Sequence, residues 1–326
     1  MYGVLKSHIT IAGIDFTQVN ELKVTKSVDL LSDTAVIKMP TSFLLASPDG
    51  FTKKTTEKTI NVGDEVRISL GYDGIIYQEE FVGYVKAIKP TIPLEIECED
   101  AIFKIRREKT ITRLFVKAQL REVLEEIVSG TGIGLSGEIP KLQLDRFYLK
   151  NVNGAQALSK IKEEFGLAIY IDDSGKLFAG LQQQLNADKT VYYHFQRNVL
   201  PNTQLEFTKA EDQRLKIKAV GIAPDNTRID VEVGDQDGEA RTLFFYNISD
   251  KAKLKEIAES QLELLRYTGY KGTLTAFGYP DAQRGWAADL VDGNYPERAG
   301  RYFVEQTVLT NGTGGIRREV TIGKKI

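Results

Sequence analysis

Short runs in which apolar and polar residues alternate occupy both ends of this chain, and no other feature limits its fold as much. Near the amino end Ile9, Ile11 and Ile14 are spaced by polar neighbours, and after a turn at Gly63-Asp64 so are Val66, Ile68 and Leu70. Only a β-strand sends every second side chain to one face, so these runs read as half-buried antiparallel strands. Gly71-Tyr72-Asp73-Gly74 is the turn that returns the chain through Phe81-Val82-Gly83-Tyr84-Val85, and Leu94-Glu95-Ile96-Glu97-Cys98 adds another alternating strand after Pro93. Together these predict a meander or small barrel. Between them, Pro48 to Thr59 is rich in Thr, Lys and Gly and has no period, which predicts a mobile surface excursion.

After Arg113 the period changes. Leu120, Val123, Leu124, Ile127 and Val128 fall on one face of a helix that ends near Gly130. A second helix is capped by Asn153, carries Leu158, Ile161 and Phe165 on one side, and stops at Gly166. Short helices are marginal alone in water, and each large apolar side chain they bury contributes about 1.5–3 kcal/mol, so both need a partner surface. The hairpin formed by Leu167 to Ile171 and Lys176 to Phe178, turned by Asp172-Asp173-Ser174-Gly175, is the expected one. Arg106 to about Phe195 is therefore expected to form a compact α+β unit.

Strands return beyond Pro201, at Leu215 to Val220, Thr227 to Val233 and Thr242 to Tyr246. A third helix follows, capped by Ser249 or Asp250, striped by Leu254, Ile257, Ala258, Leu262 and Leu265, and ended by Gly269. Extended chain resumes at Thr273 to Phe277, Trp286 to Val291, Tyr302 to Val308 and Arg317 to Ile322. The order of strand, turn, strand and strand from Val62 to Cys98 is echoed from Trp286 to Ile322, which suggests two similar β domains.

Composition removes most chemistries. Lys and Arg number 43 against 45 Asp and Glu, a net charge of -2 that lacks the basic excess selected by nucleic-acid backbones. One Cys allows no internal disulfide, and two His make a His-based metal cluster improbable. The start, Met1-Tyr2-Gly3-Val4-Leu5-Lys6-Ser7-His8, has no basic region followed by an apolar stretch, so synthesis in the cytoplasm without a signal peptide is expected. No apolar run approaches the length of a membrane helix, and the N-x-S/T triplets at Asn247 and Asn311 read as chance.

Motif matches lead no further. Gly132-Ile133-Gly134-Leu135-Ser136-Gly137 fits G-x-G-x-x-G but follows a helix, whereas a dinucleotide loop must follow a strand and open a helix. Asp235-Gln236-Asp237-Gly238-Glu239 and Asp172 to Gly175 lack the ligand spacing of calcium loops and read as hairpin turns. Glu163 and Glu164 are adjacent on a helix and point apart. His8 and His194 have no evident Ser, Cys or carboxylate partners in sequence, Cys98 reads as a buried structural thiol, and Trp286 as a core or interface anchor. No catalytic, cofactor or metal residue is assigned, and no cofactor is expected.

The element order resembles the baseplate hub of contractile phage tails, a family that includes the late control protein D group and the N-terminal part of the VgrG spikes of type VI secretion. The segment Gly166-Leu167-Ala168-Ile169-Tyr170-Ile171-Asp172-Asp173-Ser174-Gly175-Lys176-Leu177 resembles the family's post-helix hairpin. The tail Gly300-Arg301-Tyr302-Phe303-Val304-Glu305-Gln306-Thr307-Val308, with Gly314-Gly315 before the last strand, is similar to its closing G-x-Y-x-V-x-x-V and Gly-rich turn. Where the family usually carries Pro-Gly before the penultimate strands, Arg284-Gly285-Trp286 stands here.

The resemblance covers nearly the whole chain and implies a mainly β fold with α+β parts: a first tube-like β domain at 1–105, an α+β domain with two helices at 106–198, a second tube-like β domain from 199–223 and 279–326, and an inserted α+β domain at 224–278. It implies a structural, non-enzymatic virion or injection-apparatus protein. Its partners would be two further copies of itself in a homotrimer, a trimeric spike, a hexameric tail tube and other baseplate proteins. The alternatives are a tail-borne polysaccharide or peptidoglycan hydrolase, which needs two carboxyls meeting in a cleft, and a glycan-binding β module, which needs exposed aromatics such as Tyr192 and Tyr193 along a groove.

Overall fold

The computed structural model describes residues 4–326 except 49, 75, 138, 182–186, 188, 202 and 224, so the opening Met1-Tyr2-Gly3 lies outside the described residues. The amino-terminal part runs β1 (Leu5–Ile11), β2 (Ile14–Phe16), β3 (Glu21–Ser27), β4 (Thr34–Met39), β5 (Ser42–Ser47), β6 (Gly50–Thr55), α1 (Thr56–Thr59), β7 (Glu65–Tyr72), β8 (Ile76–Lys89) and β9 (Leu94–Glu99). The middle runs α2 (Ile102–Glu108), β10 (Thr110–Gln119), α3 (Leu120–Val128), β11 (Gln143–Asn153), α4 (Gly154–Phe165), β12 (Leu167–Ile171) and β13 (Leu177–Leu181). The remainder is β14 (Thr190–His194), β15 (Gln204–Thr208), β16 (Leu215–Ile222), β17 (Arg228–Gly234), β18 (Glu239–Tyr246), α5 (Lys251–Leu265), β19 (Gly269–Phe277), β20 (Ala287–Val291), β21 (Gly300–Gly312) and β22 (Gly315–Lys325).

The alternating runs at the two ends pair with each other. A 13-stranded sheet has the order β15-β19-β22-β21-β3-β4-β9-β8-β7-β1-β2, with β20 and β14 branching from β21. The junction is β21, whose residues 306–311 pair with β3 while residues 300–303 pair with β20. Among the described residues this sheet is open rather than closed into a barrel at either end. Both halves of the sequence echo fold as antiparallel meanders, β7-β8-β9 and β20-β21-β22. Each meander has its own core: Ile9, Ile37, Val66, Ile68 and Ile96 at the first, Tyr193, Leu274, Leu290, Tyr302 and Val320 at the second.

The helical middle follows its pattern closely. All five stripe residues of α3 are buried. Asn153 caps α4 by accepting from the Gln156 amide, and Gly166 closes it with φ 57°, a left-handed value that glycine adopts without a Cβ clash. The two helices share a core with the β12–β13 hairpin and with β10–β11, in which Phe115 lies opposite Phe147. In the β12–β13 turn, Asp172 accepts from the amides of Ser174 and Lys176. Strand β14 pairs in parallel with β20 and so lies in the large sheet.

Three local expectations are corrected. Within Pro48 to Thr59 the described residues from Gly50 onward are regular and on the surface: Gly50 to Thr55 pairs with Ser42 to Ser47 in a separate exposed hairpin, followed by the single turn α1. Its lack of alternation reflects that neither face of β6 is buried, so nothing selects apolar residues there. The third helix stops at Leu265 rather than Gly269, because Arg266 turns out of it to pair with Asp235 and the Tyr267 hydroxyl docks on the Gly323 carbonyl at 2.8 Å. Finally, Asp235 to Gly238 does not turn a hairpin. Strands β17 and β18 flank β16 on opposite sides, and the turn wraps the start of β16, with the Asp235 amide on the Leu215 carbonyl at 2.9 Å. A Cβ on Gly238 would lie 2.6 Å from the Leu215 carbonyl carbon, so the crossing needs glycine there.

Candidate functional site

Six polar side chains are buried where the two meanders and the helical middle meet: Arg318 is 1% exposed, Glu80 3%, Asp100 4%, Asp33 and Arg284 6%, and Gln283 7%. Each arrives by an identifiable device. The register between β7 and β8 shifts between Ile68/Phe81 and Ser69/Glu79, leaving Glu80 as the extra residue of a β-bulge. A bulge re-aims a side chain, and here it places a carboxylate inside. Arg318 occupies an inward position of β22 between buried Ile316 and Val320. Asp33 leads into β4, Asp100 follows β9, and Gln283 and Arg284 precede β20.

The charges form two linked groups. Arg318 Nη2 donates to Glu80 Oε1 at 2.6 Å and its Nη1 donates to the Ala282 carbonyl at 3.0 Å. Gln78 and Gln283 donate to the two Glu80 oxygens at 3.0 and 3.3 Å. Burial alone would raise the Glu80 carboxyl, but the Arg318 charge and these hydrogen bonds hold it below its ordinary range. In the second group Arg284 pairs with Asp33, donates to the Ile171 carbonyl of β12 and lies over the Tyr170 ring at 4.5 Å. Asp100 accepts from the amides of Asp33 at 2.7 Å and Ile102 at 2.9 Å, and from Ser32 Oγ at 3.2 Å. The second group thus ties β4, β9, β12 and the segment before β20 together.

Beside this seam lies an open groove of about 1700 Å³, lined by Tyr170, Phe178, Phe244, Tyr246, Trp286 and Phe303 among others. Tyr170 and Phe178 stack at 4.8 Å between centroids, and Lys189 lies over Trp286 at 4.9 Å. A cleft of about 620 Å³ has Asp33, Asp100 and Gln283 in its wall.

The structure disperses the residues weighed from sequence. The Gly132 to Gly137 loop follows α3, with φ 76° at Gly132 and 38° at Gly137. Glu164 pairs with Lys160 on its own helix at 3.7 Å. His194 Nδ1 accepts from the Gln196 amide at 3.3 Å. His8 does have a carboxylate neighbour: its Nε2 is 3.0 Å from Asp15 Oδ1 and 3.2 Å from Thr10 Oγ1, brought together by β1–β2 pairing on an exposed edge. Cys98 is buried, and burial pushes its thiol up to about 12. Trp286 is half-buried at the groove rim. Tyr192 is 66% exposed but Tyr193 is 1% exposed, since neighbours on a strand face opposite ways.

Two carboxyls do meet, Asp33 and Asp100, but both are buried and Asp100 is occupied by backbone amides, an arrangement that holds backbone in place. Sequence reasoning passed over this seam. The one legible signal was Arg318, a charged residue at an inward position of an alternating strand.

No protein-family model matches the chain, and no curated protein matches its sequence. Its fold is that of phage-tail and type VI secretion components. The 43 kDa tail protein of prophage MuSo2 from Shewanella oneidensis superposes with a TM-score of 0.63 at 13% identity, covering 98% of both chains. A tail protein from Neisseria meningitidis MC58 gives 0.64 at 13% identity, covering 99% of this chain and 97% of the other. The Escherichia coli c3393 protein, a component of the type VI secretion system, gives 0.56 at 10% identity over 97% of this chain and 76% of its own. At these identities the likeness is one of fold. No described helix is long and apolar enough to cross a membrane.

Proposed function

We propose that this chain is the structural baseplate hub of a contractile phage tail or related injection system, a trimeric ring joining a hexameric tail tube to a trimeric spike. The observation that carries the reading is the open, branched sheet with two meanders and, among the described residues, three edge strands paired on one side only, β2, β14 and β15. Exposed edges invite further pairing, and a closed ring turns that liability into a heterologous interface between identical subunits. Three copies of a chain with two similar meanders would offer six comparable units to a six-fold tube and three to a spike. On this reading the tube-like units are 1–105 and 199–223 with 279–326, and 106–198 and 224–278 are α+β units carried on them, except that β14 and β19 pair into the large sheet and β16 into the three-stranded sheet with β17 and β18. The role is geometric rather than enzymatic, with no cofactor, in the tail of the particle after synthesis in the bacterial cytoplasm.

The rival hydrolase would need a solvent-facing carboxyl pair, and the Asp33–Asp100 pair is buried with Asp100 engaged by amides. The glycan-binding alternative loses Tyr193 to the core. Light scattering coupled to mass determination on the purified chain, alone and with its tube partner, tests the hub. A trimer is expected, and a strict monomer across a wide concentration range in both conditions sinks the reading.

A further inference from the structure

The three-stranded sheet β17-β16-β18 is covered on both faces, and its two coverings turn surfaces of opposite charge to the outside. Side chains alternate along a strand. Ile217 and Ala219 of β16 and Phe245 of β18 therefore pack with Leu254, Ala258 and Leu262 of α5. Val220 of β16 and Phe244 and Tyr246 of β18 pack instead on the core that holds α3 and α4. The inner face of the β10–β11 ribbon, with Phe115 opposite Phe147, belongs to that same core. Helix α5 and the ribbon thus close different ends of one stack of layers, and each has an exposed outer face.

On the ribbon, the neighbours of Phe115 and Phe147 point outward: Leu114 lies opposite Tyr148 and Val116 opposite Arg146. Leu114 is 47% exposed, Val116 59% and Tyr148 45%. Exposed Lys117, Arg146 and Lys150 stand around them and have no ion-pair partner among the described side chains. Arg113 and Lys160, at the margin, are already paired with Glu126 and Glu164. On α5 the sign is reversed. Its first turn carries Lys251 and Lys253, but the outward positions of its second half are Glu256, Glu259, Glu263 and Leu264, the last 63% exposed. Lys255 takes Glu259 at 3.8 Å. Glu256 and Glu263, two turns apart on one side of the helix, are left without a cation among the described side chains.

We propose that the outer face of the β10–β11 ribbon in one copy docks on the acidic half of α5 in the next copy, head to tail. Leu114, Val116 and Tyr148 supply the apolar centre against Leu264, and Arg146 and Lys150 meet Glu256 and Glu263 across it. Two ribbons facing each other would set cation against cation, so the patch is not self-complementary and a two-fold pair is disfavoured. Two complementary faces at different ends of one chain make a heterologous contact, the kind that repeats around a ring. Only the number of copies rests on the hub reading. The contact adds a link between the α+β units to the pairing of sheet edges.

Light scattering of the full chain, read as mass against concentration, tests the contact. Wild-type self-association should weaken about tenfold or more between about 0.05 M and about 0.5 M salt, because exposed charges are screened. At low salt Arg146→Glu/Lys150→Glu should weaken it about tenfold or more, and so should Glu256→Lys/Glu263→Lys. All four substitutions on one chain exchange the signs and restore complementarity, so association should return to within about threefold of wild type. The four positions are exposed, and the wild-type salt response decides even if a variant fails to fold. Association that ignores salt overturns the proposal, as does a fourfold variant as weak as either pair. A ribbon reversal without effect overturns it too, and assigns the basic face to a different acidic partner. If the wild type is a trimer and both reversals remain trimers of equal strength, this contact fails and the hub reading stands. A wild-type monomer at every concentration overturns this contact, and the hub reading with it if the tube partner brings no change.

Discussion

Replacing Arg318 by Met should destabilise the chain far more than a single side chain on an edge strand would. The methionine fills the space of the aliphatic stem but leaves Glu80, 3% exposed, with only the two glutamine amides as donors. Removing one partner of a buried ion pair costs about 3–5 kcal/mol, most of it the desolvation of the charge left behind. Unfolding entropy of about 2.1 cal/mol/K per residue over 326 residues converts this to a fall in Tm of about 4–7 °C, if the chain unfolds as one unit. Differential scanning calorimetry at neutral pH measures it. The double variant Glu80→Gln/Arg318→Met removes the stranded charge and keeps the shape, so it should regain more than half of the loss. Acid supplies a second check. The Glu80 carboxyl is held below its ordinary value, so its stabilisation is present above about pH 4 and is lost as pH falls through the lowered folded value. Without Arg318, burial raises that carboxyl, and the variant has no such contribution left to lose. The gap between the two proteins should therefore narrow in acid. A loss under about 1 kcal/mol at neutral pH, or a gap that widens in acid, would refute the view that Arg318 is there to compensate Glu80.

Two further outcomes follow from positions at which the backbone or the core leaves little latitude. Gly166→Ala should cost about 1 kcal/mol or more, because φ is 57° there and a Cβ would stand 2.2 Å from the Phe244 ring, so denaturant midpoints should fall and the packing of β18 on α4 should shift. Cys98, whose thiol burial pushes up to about 12, should resist thiol reagents in the folded chain near neutral pH and react fully in denaturant; rapid labelling of the native protein would contradict its placement.

The elements read correctly from sequence are those whose determinants lie within a few residues of one another. Helix α4 is the clearest case: cap, apolar stripe and terminating glycine occur in one stretch from Asn153 to Gly166. The alternation of Val66, Ile68 and Leu70 worked equally well, because one face of β7 is on the core and the other is not. The Asp235 to Gly238 turn misled because Asp and Gly report a tight reversal but not whether a third strand lies between its arms. The joining of β3 to β21 was also hidden, since its partners lie some 280 residues apart and both simply read as strands.

The seam shows the same division at the level of single side chains. Bulging at Glu80 depends on how β7 and β8 register, and the pairing of Asp33 with Arg284 depends on bringing positions 33 and 284 together through the whole sheet. A charged residue in isolation carries no period. Its buried state is therefore invisible until its partner is placed, with Arg318 at an inward strand position as the partial exception.

By itself the sequence determined the kinds of elements, their approximate limits, the mainly β character and the short supply of catalytic side chains, because period, capping and composition are local quantities. The tertiary structure alone decided that both ends share one open sheet, where its unpaired edges lie, and which charges are enclosed at the junction. Those depend on long-range pairing, whose energy comes from surfaces that the chain brings together only when folded.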